Sequence, residues 1–194
     1  MTMKLAAACM AGCFALSACM GSGDGATGAM TKAEANAAYA DAAATANRIN
    51  SGDLQLAQDP SGTATMTGAM AVDLPVDPGH VSRVAAGRLS MDVDFDNGSV
   101  TGKATNFGEY NNAGDKLDSV SGALDVAGSV ANSQINANAT GTLKDSESSG
   151  VVDTQLQGGV YDDNGTLLSE GSVSGTITAD GKTSDLNGVY NVSQ

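Results

Sequence analysis

The sequence has 194 residues, a formal net charge of −13, three cysteines and one histidine. So acidic a surface argues against nucleic acid and anionic lipid as partners, and a lone histidine excludes a multi-histidine metal centre. Few aromatics (4%), no tryptophan and 25 glycines among many Ser, Thr, Asn, Asp and Val residues describe a turn-rich β protein, long enough for one domain with a real core.

The chain opens as an export signal. Lys4 leads into an apolar run that small residues close, which is the pattern of a signal peptide rather than of a membrane-spanning helix. The run ends in Leu16-Ser17-Ala18-Cys19, which resembles the lipobox of bacterial lipoproteins. That resemblance makes residues 1–18 a removable signal and Cys19 the acylated new N-terminus. Each buried methylene of an acyl chain contributes roughly 0.8 kcal/mol, and stable anchoring takes more than one chain. Cys13, after Met10-Ala11-Gly12, is a weaker position because the apolar run before it is very short. Cys9, Cys13 and Cys19 all lie in or at the signal, so the mature domain forms no internal disulfide. Met20, where inner-membrane lipoproteins often carry aspartate, implies outer-membrane sorting by the same resemblance.

Residues 19–30, rich in Gly, Ser and Ala, read as a flexible tether. An Ala-rich helix is expected over 31–50. Thr31-Lys32-Ala33-Glu34 fits a capping box, and Ala35, Tyr39, Ala42, Ala46 and Ile49 recur at helical spacing as a narrow stripe of mostly small apolar side chains. The stripe docks on the domain that follows or on a partner, or the helix is only a spacer.

From Pro60 the pattern changes to period two. In Leu89-Ser90-Met91-Asp92-Val93-Asp94-Phe95 every odd position is apolar and every even one polar, the signature of a strand buried on one face. Asp96-Asn97-Gly98 then supplies a tight hairpin turn. Similar rows follow at Ile135/Ala137/Ala139/Gly141/Leu143, Val152/Thr154/Leu156/Gly158/Val160, Val173/Gly175/Ile177 and Leu186/Gly188/Tyr190/Val192. Eight strands result, at about 63–73, 83–95, 99–107, 119–128, 133–143, 151–161, 167–179 and 184–193. The expected fold is all-β: an eight-stranded antiparallel up-and-down barrel over 60–194, preceded by one Ala-rich helix. A membrane-spanning barrel is disfavoured, because Asp92 and Asp94 sit mid-strand and aromatic girdles are missing.

Several segments resemble the β-barrel domain of transferrin-binding protein B-like lipoproteins. They are Ser61-Gly62-Thr63-Ala64-Thr65-Met66-Thr67-Gly68, Met91 through Gly102 followed by Ala104-Thr105-Asn106-Phe107, Ser121-Gly122-Ala123-Leu124, Ala139-Thr140-Gly141-Thr142-Leu143, and the ending Gly171 through Thr176 with Leu186-Asn187-Gly188-Val189-Tyr190. The similarity covers about residues 50–194. It implies an eight-stranded barrel on an outer-membrane lipoprotein, often surface-displayed, that binds a protein or captures a nutrient. The chain departs from the family in having room for one bare barrel without handle domains, and in reading Gly158-Gly159-Val160-Tyr161-Asp162-Asp163 where the family often carries an aromatic Gly-x-Phe-Tyr-Gly-Pro-like segment. The fold carries over; transferrin binding does not.

No catalytic constellation emerges, and neither an enzyme nor a cofactor is expected. There is no Gly-x-Ser-x-Gly elbow, Walker loop or Cys-x-x-Cys motif. Asp92-x-Asp94-x-Asp96 fails as a calcium loop, since Asn97 takes the sixth position and Lys103 the twelfth. Meander geometry puts short connections near 96–98, 129–132 and 162–166 at one end of the barrel. Longer ones near 74–82, 108–118 and 144–150 lie at the other, with the short 180–183 turn. With helix and tether entering at the short-turn end, the longer connections point away from the membrane. His80, Tyr110, Asn111, Asn112 and Asp115 are the candidate ligand contacts there. The sequence thus reads as a monomeric, lipid-anchored binding protein at the surface or periplasmic side of the outer membrane. Its alternatives are a lipocalin-like carrier with an internal cavity and a structural envelope lipoprotein.

Overall fold

A computed structural model of the protein describes residues 28–75 and 82–194. The signal segment, Cys19 and His80 lie outside these residues. Helix α1 (Lys32–Ser51) comes first, followed by a short strand β1 (Gln55–Leu56). The remaining strands are β2 (Thr63–Leu74), β3 (Arg83–Asp94), β4 (Ser99–Asn111), β5 (Lys116–Ser119), β6 (Ser121–Ala131), β7 (Gln134–Lys144), β8 (Ser149–Asp163), β9 (Thr166–Ala179) and β10 (Lys182–Ser193).

Eight of these close an antiparallel barrel in chain order: β2-β3-β4-β6-β7-β8-β9-β10, with β10 returning to β2. Tyr190 sits opposite Met70 and Val192 opposite Gly68 in that closing seam. Closure leaves the barrel without a free edge. β1 pairs only with the end of β8, through Tyr161 and Asp162, and β5 only with β4.

The alternating rows read from the sequence face as expected. Leu89, Met91, Val93, Ile135, Ala137, Ala139, Val152, Leu156, Val160, Val173, Leu186, Tyr190 and Val192 are all buried, and Met66, Phe107 and Leu124 join them in one continuous core cluster. Phe95 packs against it from the short-turn end. Side chains from all eight strands meet in the interior, as a barrel of this size allows. Outward positions of the same strands carry Thr65, Asp92, Lys103 and Asp125, all exposed. A polar outside over an apolar inside reverses the pattern of a barrel that meets hydrocarbon.

Inward glycines let the strands coil tightly. A Cβ on Gly188 would stand 2.0 Å from the Ala71 carbonyl oxygen, and one on Gly158 would meet both the Glu170 carbonyl and the Tyr190 hydroxyl. The Tyr190 ring therefore occupies space that glycine vacates. Its hydroxyl shares a hydrogen bond with Ser169 Oγ at 3.1 Å, and burial raises its pKa to about 12.

Two departures from the expected elements have clear causes. Gly108, Asn111, Asn112 and Gly114 made 108–118 read as a long loop, yet β4 continues to Asn111 and β5 folds back on it, so only 112–115 remains as a turn. Pairing across the ribbon supplies the order that local composition does not, with Tyr110 buried on one side and Glu109 buried beside Arg83. Between α1 and β2 the chain crosses the short-turn mouth of the barrel. Leu54 and Ala57 are buried there, and Ala57 N donates to Val160 O while Ser133 Oγ donates to Ala57 O.

Candidate functional site

Helix α1 begins where the capping box predicts. The Thr31 hydroxyl accepts from Glu34 N, and the Glu34 carboxylate accepts in return from Thr31 N. Gly52 ends the helix in a left-handed conformation (φ 81°), its N–H satisfying the last-turn carbonyls. The helix lies along the outside of the barrel and contacts β9 and β10. No residue of it is buried.

Its direction differs from the sequence expectation. The N-terminal end meets β4 and the 112–115 turn, on the long-connection side, while the C-terminal end reaches Asp163 on the short-turn side. Met30 N donates to Asn106 O at 2.8 Å, and Asn106 Nδ2 donates to Gly28 O at 2.6 Å. The segment preceding α1 therefore joins the barrel along β4, rather than at the short-turn end. The ion pairs at the two ends of the helix determine this direction, and their partners are too far apart in sequence to be read from it.

The candidate contacts at the long-connection end come together, but around the helix. Tyr110 is buried and its hydroxyl donates to the Met30 carbonyl; burial, then the nearby Glu34 charge, raises its pKa. Asn111 Oδ1 accepts from the backbone N–H groups of Ala113 and Asp115, both at 2.9 Å, and so closes the turn. Asp115 pairs with Lys32, and that hydrogen bond holds its carboxyl below the usual range. Asn112 lines a cleft beside the helix. Gly114, at φ 73°, brings the turn so close that a Cβ would sit 2.5 Å from Asn36 Oδ1 of the helix. Four of the five candidates thus form the seat of α1.

Sequence reasoning missed the groups on the other side of that seat. Arg88 pairs with Glu34, whose carboxyl is held down first by the Thr31 backbone and hydroxyl and then by Arg88. At the far end Arg48 grips Asp163 with two hydrogen bonds of 2.7 Å, and this fork lowers the Asp163 pKa. Between the two moorings Ala35 and Ala38 of the helix pack with Ala69 and Ala71 of the wall around Met30, Ala86 and Tyr110, beside a cleft of about 410 Å³ that Ala42 and Val189 also line. The alanine stripe was the one sequence signal that pointed to it. On the same wall, Glu170 faces Asn191 across the β9–β10 ladder. Glu170 Oε2 and Asn191 Nδ2 are both buried, and the Asn191 amide is set against the Glu170 carboxylate. Desolvation raises the Glu170 carboxyl above its ordinary value, and the neighbouring Asn191 amide offsets this only in part.

No group of three or more His, Cys, Asp or Glu side chains capable of holding a metal occurs among the described residues. Nor is any helix among them long and apolar enough to cross a membrane. No protein-family model, no curated protein and no solved structure matches the chain.

Proposed function

We propose that the chain is an exported lipoprotein of the outer membrane, acylated at Cys19, whose transferrin-binding-protein-like barrel is a non-enzymatic scaffold for capturing a protein or nutrient. The observation that carries the binding reading is a closed barrel with a filled core whose connections are exposed at both ends. Such a body is rigid in the middle and variable at its turns, which suits recognition more than chemistry. The anchoring reading rests on Leu16-Ser17-Ala18-Cys19.

Attachment geometry bears on which end a partner meets. From Cys19 to Gly28 is nine residues, a reach of roughly 30 Å when extended, and Gly28 joins the wall at β4. Tethered at its side in this way, the barrel presents either end. The connections 75–82, 112–115, 145–148 and 180–181 remain the proposed contact surface, with 112–115 already engaged by α1. The 145–148 turn is the better place for a reporter.

Two measurements on living cells test this. Radiolabelled palmitate is expected to enter the protein and to be lost in Cys19→Ala. An epitope in 145–148 is expected to be shaved from intact cells by protease. Failure of labelling overturns the anchor, and protection of the epitope until the outer membrane is opened overturns surface display.

A further inference from the structure

We propose that the arm ahead of the barrel, residues 28–57, exchanges between two copies of this chain, each arm seating on the other copy's barrel to give a reciprocal dimer. This rests neither on acylation of Cys19 nor on capture of a ligand at the barrel ends.

The arm is a separate body resting on a finished one. The barrel ladder closes from β2 to β10 with no residue before Thr63. Of the arm only Met30, Leu54 and Ala57 are buried. Its grip is otherwise directional. Met30 N donates to Asn106 O, and Lys32, Glu34 and Arg48 pair with Asp115, Arg88 and Asp163. Two residues of β1 lie on β8, and Ala57 bonds to Val160 and Ser133. Every one of these contacts joins an arm group to a barrel group, so a second barrel offers them all in the same geometry. Charge complementarity serves both cases alike, since Lys32 and Arg48 bring cations to an acidic chain.

What differs between the closed and the exchanged form is the connection. Gln58 through Ser61 link the last arm contact, at Ala57, to Gly62, whose N–H donates to Asp96 and whose carbonyl accepts from Phe95 N. Gln58, Asp59 and Ser61 are exposed, and none of Asp59, Pro60 and Ser61 hydrogen-bonds to the barrel among the described residues. Asp59 and Pro60 border an open hollow of about 330 Å³ instead of packing into the core. The backbone is strained here. Asp59 has φ 46°, a region that few non-glycine residues occupy, and the proline after it favours an extended conformation instead. Drawn out, the four residues span roughly 14 Å, and Asp59 returns to ordinary backbone. Folding back onto its own barrel keeps a strained turn that reaching across to a neighbour removes. A short strained hinge with an otherwise unchanged set of contacts is the condition under which identical elements swap.

Complementary charge reversal tests the exchange. The full chain is produced without export and kept in reductant, so that Cys9, Cys13 and Cys19 stay unpaired. One variant carries Lys32→Glu and Arg48→Glu in its arm; the other carries Asp115→Lys and Asp163→Lys in its barrel. Alone, each sets like charges against each other at both moorings, and only the other variant restores opposite charges. Each by itself is expected to run as a single chain with residues 32–51 quickly cut by protease. Refolded together, they should give a 1:1 species of two chains by light scattering, with that segment protected. The native protein, refolded at millimolar concentration, should yield a minor two-chain species. This should fall at least threefold in Asp59→Gly, because glycine accepts the positive φ of the closed turn. Single chains with cleaved arms in the mixture, or no two-chain species from the native protein, overturn the exchange. An equal yield of two-chain species from either variant alone also overturns it, since that association runs through another surface. A two-chain fraction unchanged in Asp59→Gly overturns the role of the hinge.

Discussion

Leu156 and Arg48 belong to two regions that meet the same barrel wall under different rules. Leu156 points inward and is fully buried in the continuous apolar core, where alternating side chains from all eight strands interlock. Arg48 lies outside, partly exposed, and ties the helix to Asp163 by charge and geometry alone. Apolar packing holds no charge for salt to screen or for mild acid to titrate. Ion pairs at a wet surface are screened, the Debye length falling from about 10 Å at 0.1 M salt to about 3 Å at 1 M. A single wall can therefore carry a durable face and a releasable one.

The deepest break comes from inside. Leu156→Ala removes a filled side chain from a packed interior and is expected to cost about 2–5 kcal/mol, read as a lower midpoint in denaturant unfolding. Gly188→Ala should follow at about 1–3 kcal/mol, because its new methyl meets the Ala71 carbonyl oxygen across the β2–β10 seam. An unchanged midpoint in either variant would mean that the core is looser than its burial implies.

The outer seam should yield without the barrel. In Asp163→Asn the fork to Arg48 is lost, so protease should cut within 32–51 faster while the barrel's unfolding midpoint moves little. High salt should produce the same cut in the native protein. Acid sharpens the contrast. Glu34, Asp115 and Asp163 all titrate below their ordinary values of 4.5, 3.8 and 3.8. Their hold on the helix is thus complete above those values and is lost as pH falls through the lowered ones. Helix cleavage should accelerate below about pH 4, with barrel circular dichroism retained. Simultaneous loss of both signals would erase the distinction between the two regions.

The smallest effect has the opposite sign. Glu170 titrates above its ordinary value because it is desolvated, which the Asn191 amide offsets only in part. Its native contribution is therefore best at low pH and worsens as pH rises through the raised value. Glu170→Gln should stabilise the protein slightly at pH 7, and this gain should vanish toward pH 4, as thermal melts at the two values would report.

What was legible in the sequence follows the same division. The alternation of Leu89 through Phe95 reports the inside because strand geometry alone decides which side chains share a face. The Thr31–Glu34 capping box was legible for the same reason: both partners lie within one turn. The seat of Tyr110 was not, since its partner Met30 is 80 residues away and only the closed fold joins them. The direction of α1 hangs on Arg48 and Asp163, 115 residues apart. The ribbon at 108–118 was hidden because Gly108, Asn111 and Gly114 favour turns locally and become ordered only by pairing. Asn191 and Glu170 gave no sign at all, as their meeting is set by the register of β9 on β10.

The attachment of Met30 to β4 has a mechanical consequence. Any pull applied ahead of Gly28 is delivered to the side of the barrel, through the Met30–Asn106 backbone bond and the Tyr110 hydroxyl. It would next strip Lys32 from Asp115 and Glu34 from Arg88, and reach Arg48 last. Tension is thus spent one contact at a time along the helix, a peeling geometry of low resistance. The β2–β10 seam bears no force until the whole helix has come away and the crossing segment at the barrel mouth is drawn out.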